Sequence, residues 1–162
     1  MIIKDMIIKN VKVEEDIYAY PDKTFSAPNL IKASSIFANL SKSFFVPKLK
    51  NAWSIHAESV KEFSAPKLET VWFINANSAK IFSIPKLKGA RDISANSAKK
   101  FSAPKLKRAL TIHAESAKSF SVPNLKEVAC DIIIDSAKFF SAPNLEEVGE
   151  MISAESAEVI EL

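Results

Sequence analysis

Residues 101–119 read Phe101-Ser-Ala-Pro-Lys-Leu-Lys-Arg-Ala-Leu-Thr-Ile-His-Ala-Glu-Ser-Ala-Lys-Ser119, and the skeleton of this stretch recurs along almost the whole chain. Its proline returns as Pro28, Pro47, Pro66, Pro85, Pro104, Pro123 and Pro143, in five steps of nineteen residues and one of twenty. A fixed period near twenty marks a solenoid, in which one coil cannot bury its apolar face until neighbours stack on it.

Numbering each coil from its Phe as position 1, apolar or small residues fall at positions 1, 3, 6, 9, 12, 14 and 17. In the quoted coil these are Phe101, Ala103, Leu106, Ala109, Ile112, Ala114 and Ala117. The steps of two, around Ser102 and around His113, predict two short β segments per coil. The steps of three predict tight corners. Proline at position 4 would interrupt a helix, so the expected fold is mainly β, a single-domain leucine-rich-repeat-like solenoid with little or no α-helix. Stacking turns every inward position into a ladder: Phe25, Phe44, Phe63, Phe82, Phe101, Phe120 and Phe140 form one column, with leucine and isoleucine columns beside it. Serines at position 2 face outward, where hydroxyl ladders would suit them. Serine on every coil is a packing signal, not a nucleophile.

Outside the seven Phe-initiated units, Val13 to Thr24 supplies the second half of a coil. The expected division is a cap over 1–12 and one continuous solenoid over 13–162. The last two coils carry one more residue between positions 9 and 12, in Val128-Ala-Cys-Asp-Ile132 and Val148-Gly-Glu-Met-Ile152, which predicts a bulge. After Ala157 the chain stops inside an eighth coil, where the acids of the tail discourage end-to-end growth.

Composition narrows the classes. The 162 residues are 48% hydrophobic and 25% charged, with two Gly, enough to bury one sizeable core and inconsistent with disorder. The single cysteine, Cys130, closes no intramolecular disulfide, which fits a reducing compartment. Charges interrupt the apolar N-terminal runs every three or four residues, so no secretory signal or membrane span is legible there, and a cytoplasmic protein is expected. The net charge of +3 conceals an asymmetry of −1 over 1–24, +12 over 25–126 and −8 over 127–162.

The phrase Leu-x-x-Ala/Val-x-x-Ile-x-Ala-x-Ser-Ala followed by Phe-Ser-Ala-Pro-x-Leu, as in Leu106–Ala117 and Phe120–Leu125, resembles leucine-rich repeats. It is most similar to the bacterial BspA type and to receptor L-type repeats, over roughly residues 13–162. Serine or alanine stands where those repeats carry asparagine at the strand end, so a straighter β-solenoid is as consistent with the residues as a horseshoe. The resemblance implies a ligand-binding scaffold and transfers no catalytic residue.

Function then has to lie at positions that break the repeat. Position 13 varies from Tyr18 through Phe37, His56, Asn75, Ser94 and His113 to Ile133 and Ser153, and position 15 from Tyr20 through Glu58 and Glu115 to Glu155. A protein-binding face is expected over Tyr18, Tyr20, Phe37, His56, Glu58, Phe73, Asn75, His113 and Glu115, with Trp53 and Trp72 either joining it or merely covering a corner. His56 with Glu58 and His113 with Glu115 have the spacing of a base or metal-ligand pair, although solvated side chains are the commoner outcome. At three coils apart, roughly 14 Å, one ion cannot bridge them. Lys48, Lys50, Lys67, Lys86, Lys88, Lys105, Lys107 and Arg108 form a basic ridge that either follows a nucleic-acid backbone or only solvates a corner. No phosphate loop, cysteine cluster or nucleophile motif is present. The chain thus reads as a non-enzymatic module for a protein partner, needing no cofactor and no membrane, with nucleic-acid binding as the alternative. Small scaffolds of this kind can inhibit a larger enzyme, for example as bacterial or phage anti-defence proteins that block a nucleic-acid-guided nuclease.

Overall fold

A computed structural model describes residues 2–3, 12–19, 21 and 24–162. They form a parallel β-solenoid of about 8 turns with a period of about 19 residues, and among them there is no helix. Every strand pairs in parallel with the equivalent strand one coil away, and the register carries like onto like: Phe82 on Phe101 on Phe120, and Ile93 on Ile112 on Ile132.

Two β-turns shape each coil, and both explain a step of three in the pattern. At positions 3 to 6 the Leu106 amide donates to the Ala103 carbonyl at 3.1 Å, with Pro104 preset for the second position of the turn. At positions 14 to 17 the Ala117 amide donates to the Ala114 carbonyl at 2.9 Å. Both turns recur, as Leu68 to Ala65 and Ala98 to Ala95 show. Residues that bracket a turn lie on the same side of it, so positions 3 and 6, and again 14 and 17, point inward.

Three ladders result, one more than the period-two steps predict. The Ile ladder runs through Ile17–Ala19, Ser35–Phe37, Asn51–His56, Thr70–Asn75, Asp92–Ser94, Thr111–His113, Asp131–Ile133 and Met151–Ser153. The Phe ladder runs through Thr24–Ser26, Ser43–Phe45 and Glu62–Ser64, and then, as a separate sheet, from Ile81–Ser83 to Val159–Glu161. The third is two residues wide, at positions 8 and 9. It includes Lys12–Val13, Lys32–Ala33, Arg108–Ala109, Glu127–Val128 and Glu147–Val148, with Gly89 bridging Thr70 and Arg108.

The core is a set of columns. Phe101, Ala103, Leu106, Ile112, Ala114 and Ala117 are fully buried, and Ala109 nearly so. The Phe rings stack at centroid separations of 4.7–5.6 Å from Phe25 to Phe120, and Phe140 turns edge-on to Phe120. Each such pair contributes about 0.5–1.5 kcal/mol beyond the area it buries. At position 2, Ser26, Ser64, Ser102 and Ser121 are partly covered, Ser83 is exposed and Ser141 is buried; a hydroxyl contact between rungs forms two positions earlier, between Thr24 and Ser43 at 2.9 Å.

The extra residue of the sixth and seventh coils sits in the bend between the short ladder and the Ile ladder. The Ala129 amide donates to the Ala109 carbonyl and the Cys130 amide to Leu110, so the bulge starts above a coil that lacks it. In the next coil a Cβ at Gly149 would come within 1.9 Å of the Ala129 carbonyl oxygen, a backbone atom that cannot step aside, so only glycine fits. Of the expected cap, Ile2–Ile3 pairs in parallel with Ile17–Ala19 as a further strand of the Ile ladder. Residues 1 and 4–11 lie outside the described residues, as do Tyr20 and Lys23.

Candidate functional site

Positions 11 and 13 flank the buried isoleucine on the outer surface of the Ile ladder. Stacking sets their rings one rung apart. Tyr18 lies on Phe37 at 4.9 Å, nearly parallel, and Phe37 lies on the His56 imidazole at 4.7 Å. Phe73 is at position 11, beside Ser54, yet its ring leans across to meet His56 at 5.1 Å, tilted by 33°. Four consecutive coils thus build one aromatic strip, in which Tyr18 is 45% exposed and Phe37, His56 and Phe73 are half-buried.

Neither His-x-Glu pair is joined. His56 Nε2 is 3.0 Å from the Ser54 hydroxyl, and Glu58 instead accepts from Asn75 Nδ2 at 2.7 Å. Burial between the two aromatic neighbours holds the His56 imidazole below its ordinary pKa, although Glu58 and Asp16 pull the other way. No hydrogen bond or ion pair connects half-buried His113 to exposed Glu115. Three other side-chain bonds on this face run between coils: Asn75 reaches Glu58, Ser94 reaches Asn77 at 2.7 Å and Ser153 reaches Asp135, each from position 13 back to position 15 of the coil before. Among the described residues no three His, Cys, Asp or Glu side chains converge as a metal site. Burial and the neighbouring Glu150 raise the Cys130 thiol above its ordinary pKa, away from nucleophilic character.

A second aromatic group stands at position 10, at the corner between the short ladder and the Ile ladder. Trp53 and Trp72 stack at 4.5 Å and are 56% and 50% exposed, too open for a pair that only seals a corner. Arg91, at position 10 of the following coil, places its guanidinium carbon 5.9 Å over the Trp72 ring. Small residues at position 9 leave a shallow depression on either side of the tryptophans. One is bordered by Lys32, Ser34 and Trp53, the other by Trp72, Gly89, Ala90 and Arg108. The stacked tryptophans stand out in the sequence as large outward aromatics; Arg91 does not stand out by its own chemistry, although the nineteen-residue repeat sets it at position 10, one rung beyond Trp72.

All eight ridge residues, Lys48, Lys50, Lys67, Lys86, Lys88, Lys105, Lys107 and Arg108, are exposed. Lys88 pairs with Glu69 at 2.7 Å and Lys48 donates to Asn29 at 3.0 Å. Lys88 also draws the Glu69 carboxyl below its ordinary range. The ridge is thus interrupted at Glu69 and strongest around Lys86, Lys105, Lys107 and Arg108. Among the described residues no helix is long and apolar enough to cross a membrane.

No protein-family model, curated protein or solved structure matches this chain. The solenoid therefore stands on its own geometry, and so must any function assigned to it.

Proposed function

We propose that this protein is a non-enzymatic protein-binding module of leucine-rich-repeat-like type. The observation that carries the reading is the exposed aromatic strip Tyr18–Phe37–His56–Phe73, held rigid by the rungs beneath it. Rigid aromatic side chains lose little conformational entropy on docking and serve as anchors at the centre of interfaces. With Trp53 and Trp72 on the adjoining corner, the N-terminal half presents two aromatic surfaces on one inflexible support. Inhibition of a larger enzyme is the form of binding such a small scaffold suits, by occluding a site rather than by chemistry; an anti-defence protein directed against a nucleic-acid-guided nuclease would be one example. Affinity capture from the source cells tests the reading. The tagged protein should retain a protein partner, and Tyr18→Ala and Phe37→Ala should each weaken that complex about tenfold while leaving the circular dichroism unchanged. Absence of any protein partner, or one indifferent to both substitutions, would contradict it.

One observation favours a second reading: Lys86, Lys105, Lys107 and Arg108 are exposed and, among the described residues, have no carboxylate partner within ion-pair distance. A nucleic-acid backbone following this ridge would bind with affinity that falls steeply with salt. Binding that survives the combined reversal of Lys86, Lys88, Lys105 and Lys107 to Glu would remove this alternative.

A further inference from the structure

The position-10 column is unevenly filled. Read along the solenoid it runs Ser34, Trp53, Trp72, Arg91; the Trp53 amide donates to the Ser34 carbonyl at 3.0 Å and the Arg91 amide to the Trp72 carbonyl at 2.9 Å, so these are successive rungs, and below them the Ser34 amide meets the Val13 carbonyl, next to Glu14. One face of Trp53 is covered by Trp72. The other looks along the axis towards Ser34, whose short side chain fills none of the rung, and among the described residues no ring stacks on it. The result is a slot one rung deep, about 4.7–4.9 Å, opening into a depression of about 410 Å³. Glu14, Lys12 and Lys32 also border this depression.

We infer that the free face of Trp53 receives the guanidinium of an arginine on the partner protein, with Glu14 as its counter-ion. The inference rests on the protein-binding reading and adds the chemistry of one contact. The chain already shows the matching arrangement on the other side of the pair, where its own Arg91 covers Trp72 and the neighbouring Asp92 carboxylate lies 3.6 Å from Arg91 Nε. A planar cation fits a slot of one rung, stacks on the indole and leaves its edge N–H groups for a carboxylate. Glu14 is the one carboxylate that lines the depression, beside Lys12 and Lys32, and is the group that a guanidinium on Trp53 would pair with. A lysine ammonium, compact and strongly hydrated, would gain less from the same face.

Trp53 and Trp72 are the only tryptophans, so Trp72→Phe keeps a ring in the stack and leaves Trp53 as the sole emitter. Its fluorescence is titrated at about 0.15 M salt with an alternating arginine–glycine peptide, the lysine–glycine counterpart and an oligothymidylate of about 15 nucleotides. Saturable quenching by the arginine peptide, at least about threefold tighter than by the lysine peptide and weakened to a similar degree by Glu14→Gln, is expected. Equal response to both peptides, no saturation, or a tighter response to the oligonucleotide would overturn the inference. A captured partner that requires Tyr18 and Phe37 but tolerates Trp53→Leu would also remove the slot, while leaving the protein-binding reading intact.

Discussion

Gly149 and His56 show how single residues are constrained by the coil beneath them and not by their own neighbours in sequence. Gly149 is fixed by the Ala129 carbonyl, so Gly149→Ala should release the seventh coil at a cost of about 1–3 kcal/mol. Hydrogen exchange should show lost protection over 149–161, with the earlier coils little changed. Gly89 has no such neighbour, its nearest prospective contact being a carbonyl at 4.0 Å, and Gly89→Ala should leave stability the same or slightly higher. His56 is depressed in pKa by burial, so protonation favours the unfolded chain. Its neutral form is fully compatible with the fold above the ordinary histidine pKa of about 6.5, and stability falls as pH drops through that value towards the lower folded one. Replacing it with Phe, which keeps a ring between Phe37 and Phe73, should flatten the stability profile as pH falls below the ordinary histidine value of about 6.5. An unchanged slope in denaturant titrations would place the pH dependence elsewhere.

Among the elements, the Phe ladder carries the largest side chains of the core. Phe101, wholly buried between Phe82 at 5.0 Å and Phe120 at 4.7 Å, should cost about 3–5 kcal/mol on truncation to Ala. A loss below about 1 kcal/mol in equilibrium unfolding would mean that the column is not packed as described. The ladders were legible because a stacked coil demands the same residue at the same position every nineteen residues, and Pro104 with Leu106 announces its own turn. The third ladder was not. Arg108–Ala109 is only two residues long and lies between a turn and a corner, too short to display alternation. The candidate site divides in the same way. Tyr18, Phe37 and His56 share position 13, so their stacking follows from the repeat, whereas Phe73 reaches His56 only because its ring leans from position 11 across to the neighbouring column. The His-x-Glu spacing misleads for a related reason: on this face position 13 bonds back to position 15 of the preceding coil, so Glu58 goes to Asn75 and not to His56.

For the whole molecule, the consequence of a repeating core is modularity. Stability is a sum of coils and of the interfaces between them, and the surface can vary wherever the columns are left alone. The change of charge sign after Lys126 is an example: Lys126 pairs with Glu146 at 2.6 Å and Lys138 with Glu158 at 2.8 Å across successive coils, with the same Phe, Leu and Ile columns beneath. Being exposed, these pairs contribute little to stability. The most direct test of stacked, interchangeable coils is removal of one complete unit, residues 103–121, which joins Ser102 to Val122 and restores the Phe-Ser-Val-Pro phrase in phase. The shortened chain should fold with an unchanged β circular dichroism signature, one cooperative unfolding transition and the Tyr18–Phe73 strip in place, and deletion of residues 103–112 alone, which breaks the phase, should not. A nineteen-residue deletion that unfolds the protein, or a half-coil deletion that leaves it intact, would contradict the account.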